Sequence, residues 1–232
     1  MKTIGLIGGM SWESTAHYYT LLNRLVNQRL GGYEAAKLLL YSINFAELQR
    51  LQFAEEWDQA TELMLDAAQR LERGGADFLL IGANTMHISA PEIEKKIAIP
   101  LLHIADAAGE RILARGIRCV GLLGTAFTME KTFYSSRLRE KFGIEVIIPG
   151  ADHRRVVHDI IFNELVHGIT KPESRDRYRA IMAELAQSGA EGIVLGCTEL
   201  MMIIEASDST VPLFDTTTIH CEAAVEYALR NT

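Results

Sequence analysis

"GIVLGCTELM" occupies residues 192–201, and an earlier stretch, "FLLIGANTMH" at 78–87, is built the same way. Each is an apolar run stopped by a glycine, Gly196 or Gly82, and followed by polar residues. Short apolar runs ending in a glycine turn read as interior strands of a parallel sheet. Two further pairs keep the same order. "GLIGGMSWEST" at 5–15 matches "GLLGTAFTME" at 121–130, and "IPLLHIAD" at 99–106 matches "VPLFDTTT" at 211–218. Gly5 to Gly121 is an offset of 116, Gly82 to Gly196 is 114, and Pro100 to Pro212 is 112. Three matches in one order at nearly constant offset imply two similar halves of about 115 residues each.

Working outward, strands are expected at 3–7, 37–43, 78–82, 99–103, 118–123, 144–148, 192–196 and 211–214. Helices are expected at 13–29, 45–50, 57–73, 90–96, 105–115, 128–141, 152–166, 172–188 and 218–229. Buried strands alternating with helices define an α/β fold, with mostly parallel sheets covered by helices on both faces. In such sheets ligands bind beyond the carboxyl ends of the strands. Both halves put their glycine turns there. If the halves face each other, a cleft forms with residues 83 and 197 on opposite sides.

Composition narrows the function. The net charge is −7 and no basic face is visible, which argues against a nucleic-acid partner. The apolar stretches are too short to cross a bilayer, and the start of the chain has no signal-peptide pattern. The three cysteines, Cys119, Cys197 and Cys221, show no paired or metal spacing. An odd count without a signal suggests free thiols in a reducing cytoplasm.

Cys197 stands at a strand end before an expected helix. A helix N-terminus would favour its thiolate, which could serve as base or nucleophile. The bland alternative is an inert core thiol, and Cys119 and Cys221 read that way. Asn84-Thr85 and Thr198-Glu199 either cap helices or offer N–H groups to a carboxylate. Thr125 and Thr128, Ser11 and Thr15 add hydroxyls near two other strand ends. Together they suggest a small anionic ligand held by neutral donors. There is no dinucleotide fingerprint, no P-loop and no metal-binding histidine pattern. His103 and His220 read as structural. No lysine marks a pyridoxal site, so no cofactor is expected.

"IGLIGGMSWEST", "ANTMH", "PLLHIADA", "LLGTAFTME", "GCTEL" and "FDTTTIHCEAAV" resemble the cofactor-independent aspartate/glutamate racemases, and within them the broad-specificity amino-acid racemases of bacteria. The resemblance spans nearly the whole chain. It implies two pseudo-symmetric α/β domains, at 1–100 with 213–232 and at 101–212, with the active site in the cleft between them. It also implies a homodimer and a small amino-acid or carboxylate substrate. In the family one cysteine from each half flanks the substrate Cα, and the pair removes and returns its proton. Cys197 matches the second of these. Asn84, Thr85, Thr198 and Glu199 match positions around the substrate amino and carboxylate groups. Thr125 and Thr128 match a carboxylate loop, Met10 and Ser11 the first turn, and Gln52 a contact from the segment after the second strand.

Two departures follow. The family's first cysteine falls at Ala83, whose methyl group cannot exchange protons. Thr85, a water or His87 would then have to serve that face. Acidic-substrate members carry an arginine after the second strand. Here the segment is "NFAELQRLQ", where Arg50 is not equivalent, and Glu164, carried as a substrate-binding candidate, lies near where some members place a lysine that helps hold the side-chain carboxylate. The expected activity is therefore a racemase or epimerase of small amino acids. The alternatives are a single-cysteine decarboxylase or isomerase of the same superfamily, or a degenerate carboxylate-binding member.

Overall fold

The computed structural model describes residues 1–230. It divides the chain into two compact units, Met1–Ile104 joined by the stretch from His220, and Ala105–Ile219. In the first unit the order is β1 (Ile4–Gly8), α1 (Trp12–Leu30), β2 (Leu38–Ser42), α2 (Phe45–Phe53), α3 (Trp57–Arg73), β3 (Phe78–Ile81) and, after a 3₁₀ turn at Thr85–Ser89, α4 (Ala90–Glu94). The chain crosses to the second unit at the start of α5 (Ile104–Leu113). There follow β4 (Cys119–Gly124), α6 (Ala126–Glu130), α7 (Thr132–Phe142), β5 (Glu145–Ile147), α8 (Ala151–Asn163), α9 (Pro172–Gln187), β6 (Ile193–Gly196) and β7 (Leu213–Asp215). Helix α10 (Thr216–Leu229) carries the chain back.

Both sheets are parallel, in the orders β2-β1-β3 and β5-β4-β6-β7. The inner strands β1, β4 and β6, and β3 beside β1, are apolar on both faces because both faces are covered. In the first sheet Ile4, Leu6, Phe78 and Leu80 pack with Tyr18 and Leu22 of α1 and with Cys221, Ala224 and Val225 of α10. The alternate residues Ile7, Leu79 and Ile81 pack with Ala60, Met64 and Ala67 of α3. Each fully buried Leu, Ile or Phe side chain contributes roughly 1.5–3 kcal/mol, so these two layers carry the unit.

The repeat extends to individual hydrogen bonds. Leu79 N–H donates to Pro100 O at 2.8 Å, and Ile193 N–H donates to Pro212 O at 2.9 Å. Asp77 N–H reaches Thr3 O at 2.8 Å, and Glu191 N–H reaches Cys119 O at 2.9 Å. Even the side chains correspond, since the Asp77 carboxylate accepts from Thr3 N–H and the Glu191 carboxylate from Cys119 N–H. At the glycine turn the register closes on Gly124 opposite Gly196. A Cβ on Gly124 would stand 2.8 Å from Gly196 O, so neither strand tolerates a side chain there.

The structure corrects several expectations. The stretch at 99–103 is no strand but a single bridge, Leu79 to Leu101. Pro100 has no N–H to continue the ladder. The helix expected over 128–141 is two, because Lys131 adopts extended backbone (ψ 141°) between α6 and α7. Since β7 pairs with β6, residues 213–215 belong to the second sheet. The units accordingly exchange at 104/105 and 219/220, not at 100/101 and 212/213.

Candidate functional site

In the second unit, β4 and β6 are neighbours, so the turns beginning at Thr125 and Cys197 lie side by side at the carboxyl end of the sheet. Thr125 caps α6, and its Oγ1 accepts from Thr128 N–H at 3.3 Å and lies 3.2 Å from Thr128 Oγ1. Ala126 N–H donates to Nδ1 of His158 on α8 at 3.1 Å. That bond requires a neutral acceptor nitrogen, and burial lowers the His158 pKa in keeping with it, against the opposing charges of Asp159 and Glu130.

Cys197 is only 8% exposed. Its Sγ–H donates to Glu199 Oε2 at 3.0 Å, and Thr198 Oγ1–H donates to the same oxygen at 2.7 Å. The expected helix N-terminus is absent: only a three-residue 3₁₀ turn, Leu200–Met202, follows. Burial, and after it the charge of Glu199, push the Cys197 thiol well above its ordinary range. The resting group is thus a thiol, with a carboxylate placed to receive its proton. Tyr178 of α9, buried and bonded to Val157 O at 3.4 Å, has its pKa raised by burial first and then by the charges of Cys197 and Glu164. Nothing in the sequence spacing of Tyr178 or His158 singled them out.

Glu164 is engaged within its own unit. Lys171 Nζ donates to Oε1 at 3.1 Å and Ser174 Oγ to Oε2 at 2.7 Å. Burial raises its pKa, but these two partners outweigh it and the net shift is downward. The carboxylate ties the end of α8 to the start of α9.

In the first unit, β1 turns at Gly9, whose φ of +87° suits glycine. Its N–H donates to Thr15 Oγ1 at 2.8 Å, and Thr15 donates onward to Ser11 O at 2.9 Å. Met10 and Ser11 are buried in this turn. The neighbouring strand β3 is followed, past Gly82, by half-buried Ala83 and then buried Asn84 and Thr85. Gln52 of α2 is buried and its Nε2 donates to Met86 Sδ at 3.1 Å. Arg50 lies on the exposed side of α2, in a surface groove shared with Glu47 and Asp66. His87, a candidate proton donor from sequence, has both ring nitrogens engaged by backbone groups, Nδ1 at Ala83 O (2.8 Å) and Nε2 at Ile104 N–H (3.2 Å).

The first unit thus collects Met10, Ser11, Gln52, Ala83, Asn84 and Thr85, and the second collects Thr125, Thr128, Cys197, Thr198 and Glu199. Among the described residues no helix is long and apolar enough to cross a membrane.

Comparison with known proteins adds the family. The profile described as Asp/Glu/hydantoin racemase matches residues 7–224. A broad-specificity amino-acid racemase of Bacillus subtilis is 27% identical over 171 residues, covering 72% of each chain. A Yersinia pestis protein solved as a candidate Asp/Glu racemase is 48% identical, with a TM-score of 0.93 over 99% of this chain and 100% of that one. An aspartate racemase homologue from Pyrococcus horikoshii is 38% identical, with a TM-score of 0.85 over 98% and 99%.

Proposed function

The chain belongs to the Asp/Glu/hydantoin racemase family, and from that premise we propose that it racemises or epimerises small amino acids without pyridoxal phosphate, Cys197 exchanging the Cα proton. The observation that carries this reading is the buried Cys197 thiol, bonded at 3.0 Å to the Glu199 carboxylate at a strand end. In this scheme Glu199 accepts the Sγ proton. The resulting thiolate removes the Cα proton, and the electron pair passes into the substrate carboxyl group as an enediolate. The hydroxyls of Thr125 and Thr128 and the polar groups of Met10–Ser11 and Asn84–Thr85 suit the substrate's carboxylate and ammonium. Position 83 takes the other face of Cα, where a methyl group has no proton to give. With both His87 nitrogens occupied, the Thr85 hydroxyl or a water returns the proton on that side.

Substrates with neutral side chains fit this reading best. Arg50 lies on the exposed side of its helix, and buried Gln52 is the polar group α2 contributes. We further propose a homodimer working in the cytoplasm. The test is incubation with single L- or D-amino acids in D₂O, followed by NMR at Cα. Exchange with wild type and its loss in Cys197→Ser support the reading, whereas no exchange with any amino acid sinks it.

One observation favours a second reading. A resting Cys197 thiol, with alanine in place of cysteine at the equivalent position 83 of the repeat, suits a one-sided proton donor, as a decarboxylase would need to protonate an enediolate. Release of CO₂ from substituted malonates, without amino-acid exchange, would decide for it.

A further inference from the structure

The two strand-end turns are equivalent in the repeat, yet their carbonyls are held differently. Behind Cys197 the backbone serves itself: Leu200 N–H donates to Cys197 O at 3.2 Å. Behind Ala83 the corresponding carbonyl is taken by a side chain, the His87 imidazole, at 2.8 Å. Position 87 corresponds to 201 by the same offset of 114, and there the second half has Met201, which is 41% exposed. His87 is 1% exposed. The half without the cysteine is the half with the clamp.

The bonding fixes the ring's state. A carbonyl only accepts, so Nδ1 carries the proton; Ile104 N–H only donates, so Nε2 keeps its lone pair. One neutral imidazole therefore joins the turn at residue 83 to Ile104, the last residue of the first unit before the chain crosses. The ring also lies 4.5 Å from the His103 ring, tilted 55° to it, and meets His220 edge-on at 5.8 Å. His220 Nε2–H holds Leu102 O at 2.8 Å, so the segment just before the crossing is pinned twice.

We propose that His87 is a positioning residue for the first half-site: it sets where the Ala83 turn, and with it Asn84 and Thr85, stands relative to the crossing segment. It touches no substrate atom. The inference rests on the proposed racemase reading for its effect on turnover, but its bonds can be measured without turnover.

The experiment compares wild type with His87→Phe, which keeps ring volume and loses both bonds, and His87→Asn, whose amide can still donate to the Ala83 carbonyl. Nitrogen NMR of the wild type should show His87 protonated at Nδ1 alone. Amide hydrogen exchange at Ile104 should rise about tenfold or more in His87→Phe, the equivalent of one hydrogen bond, while Val120 in the second unit stays unchanged. In the D₂O assay His87→Phe should lower kcat about tenfold with KM within about threefold, and His87→Asn should recover part of the loss. An Nε2-protonated ring, or unchanged Ile104 exchange in both variants, overturns the proposal, as does full kcat in His87→Phe. If wild type exchanges no amino acid, the racemase reading fails by itself, and the tautomer and Ile104 exchange still decide for or against the clamp.

Discussion

Replacing Glu199 by Gln should make Cys197 more reactive as a nucleophile and less competent as a catalyst. The carboxylate holds the thiol proton at 3.0 Å and opposes the thiolate by its charge. A hydrogen bond to a charged group is worth about 1.5–3 kcal/mol, and here it stabilises the thiol form alone. Removing it should raise the thiolate fraction at neutral pH roughly 10- to 100-fold, at 1.36 kcal/mol per factor of ten. The Gln amide can also donate to the thiolate, which acts in the same direction. The assay is the rate of iodoacetamide alkylation, resolved by peptide mass spectrometry so that Cys119 and Cys221 are counted separately. In the same variant, Cα exchange should fall by about 10²–10⁴, the usual contribution of a positioned base. Slower or unchanged alkylation of Cys197 would refute the electrostatic argument, because burial alone would then hold the thiol protonated.

Ala83→Cys should raise inversion relative to simple Cα exchange, since a thiol replaces the methyl; an unchanged ratio on chiral analysis would deny the equivalence of residues 83 and 197. Gly124→Ala should destabilise the protein by about 2 kcal/mol or more, read by denaturant melts, because the new methyl meets Gly196 O at 2.8 Å. His220 is fully buried and its pKa falls from 6.5 to about 4, driven by burial. Its folded value lies below its unfolded one, so the contribution is complete above about pH 6.5 and is lost as pH falls toward 4, about 3 kcal/mol in all. Denaturant melts from pH 7.5 to 4.5 should show that slope, and His220→Gln should flatten it.

The parts of the fold that were legible in the sequence are those fixed by steric exclusion. Gly5 and Gly121, and Gly82 and Gly196, stand where a Cβ would press on neighbouring atoms, and Pro100 and Pro212 present carbonyls without N–H groups, so their spacing exposes the duplication and its order. Cys197 was legible for the same reason, standing next to such a glycine. What was not legible depends on side-chain direction and on long-range partners. That Glu199 bends back to the residue two before it, and that Arg50 and Gln52 leave α2 on different sides, are choices made by packing. His158 and His87 find backbone partners 32 and 17 residues away, with no local pattern to announce them. The thiol's protonation is not legible because "GCTEL" reads as a helix start, and the chain instead makes one 3₁₀ turn.

The first unit is not continuous in the chain, and this orders its assembly. Ile4 and Leu6 of its central strand are covered by Cys221, Ala224 and Val225 near the other end of the sequence. As the chain leaves the ribosome, the first sheet must wait, one face covered by α1 alone, through the whole synthesis of the second unit, whose residues 105–219 are contiguous and can close first. The half made first is therefore finished last, and a nascent chain stalled before residue 220 would hold a completed second unit beside a sticky, half-dressed sheet.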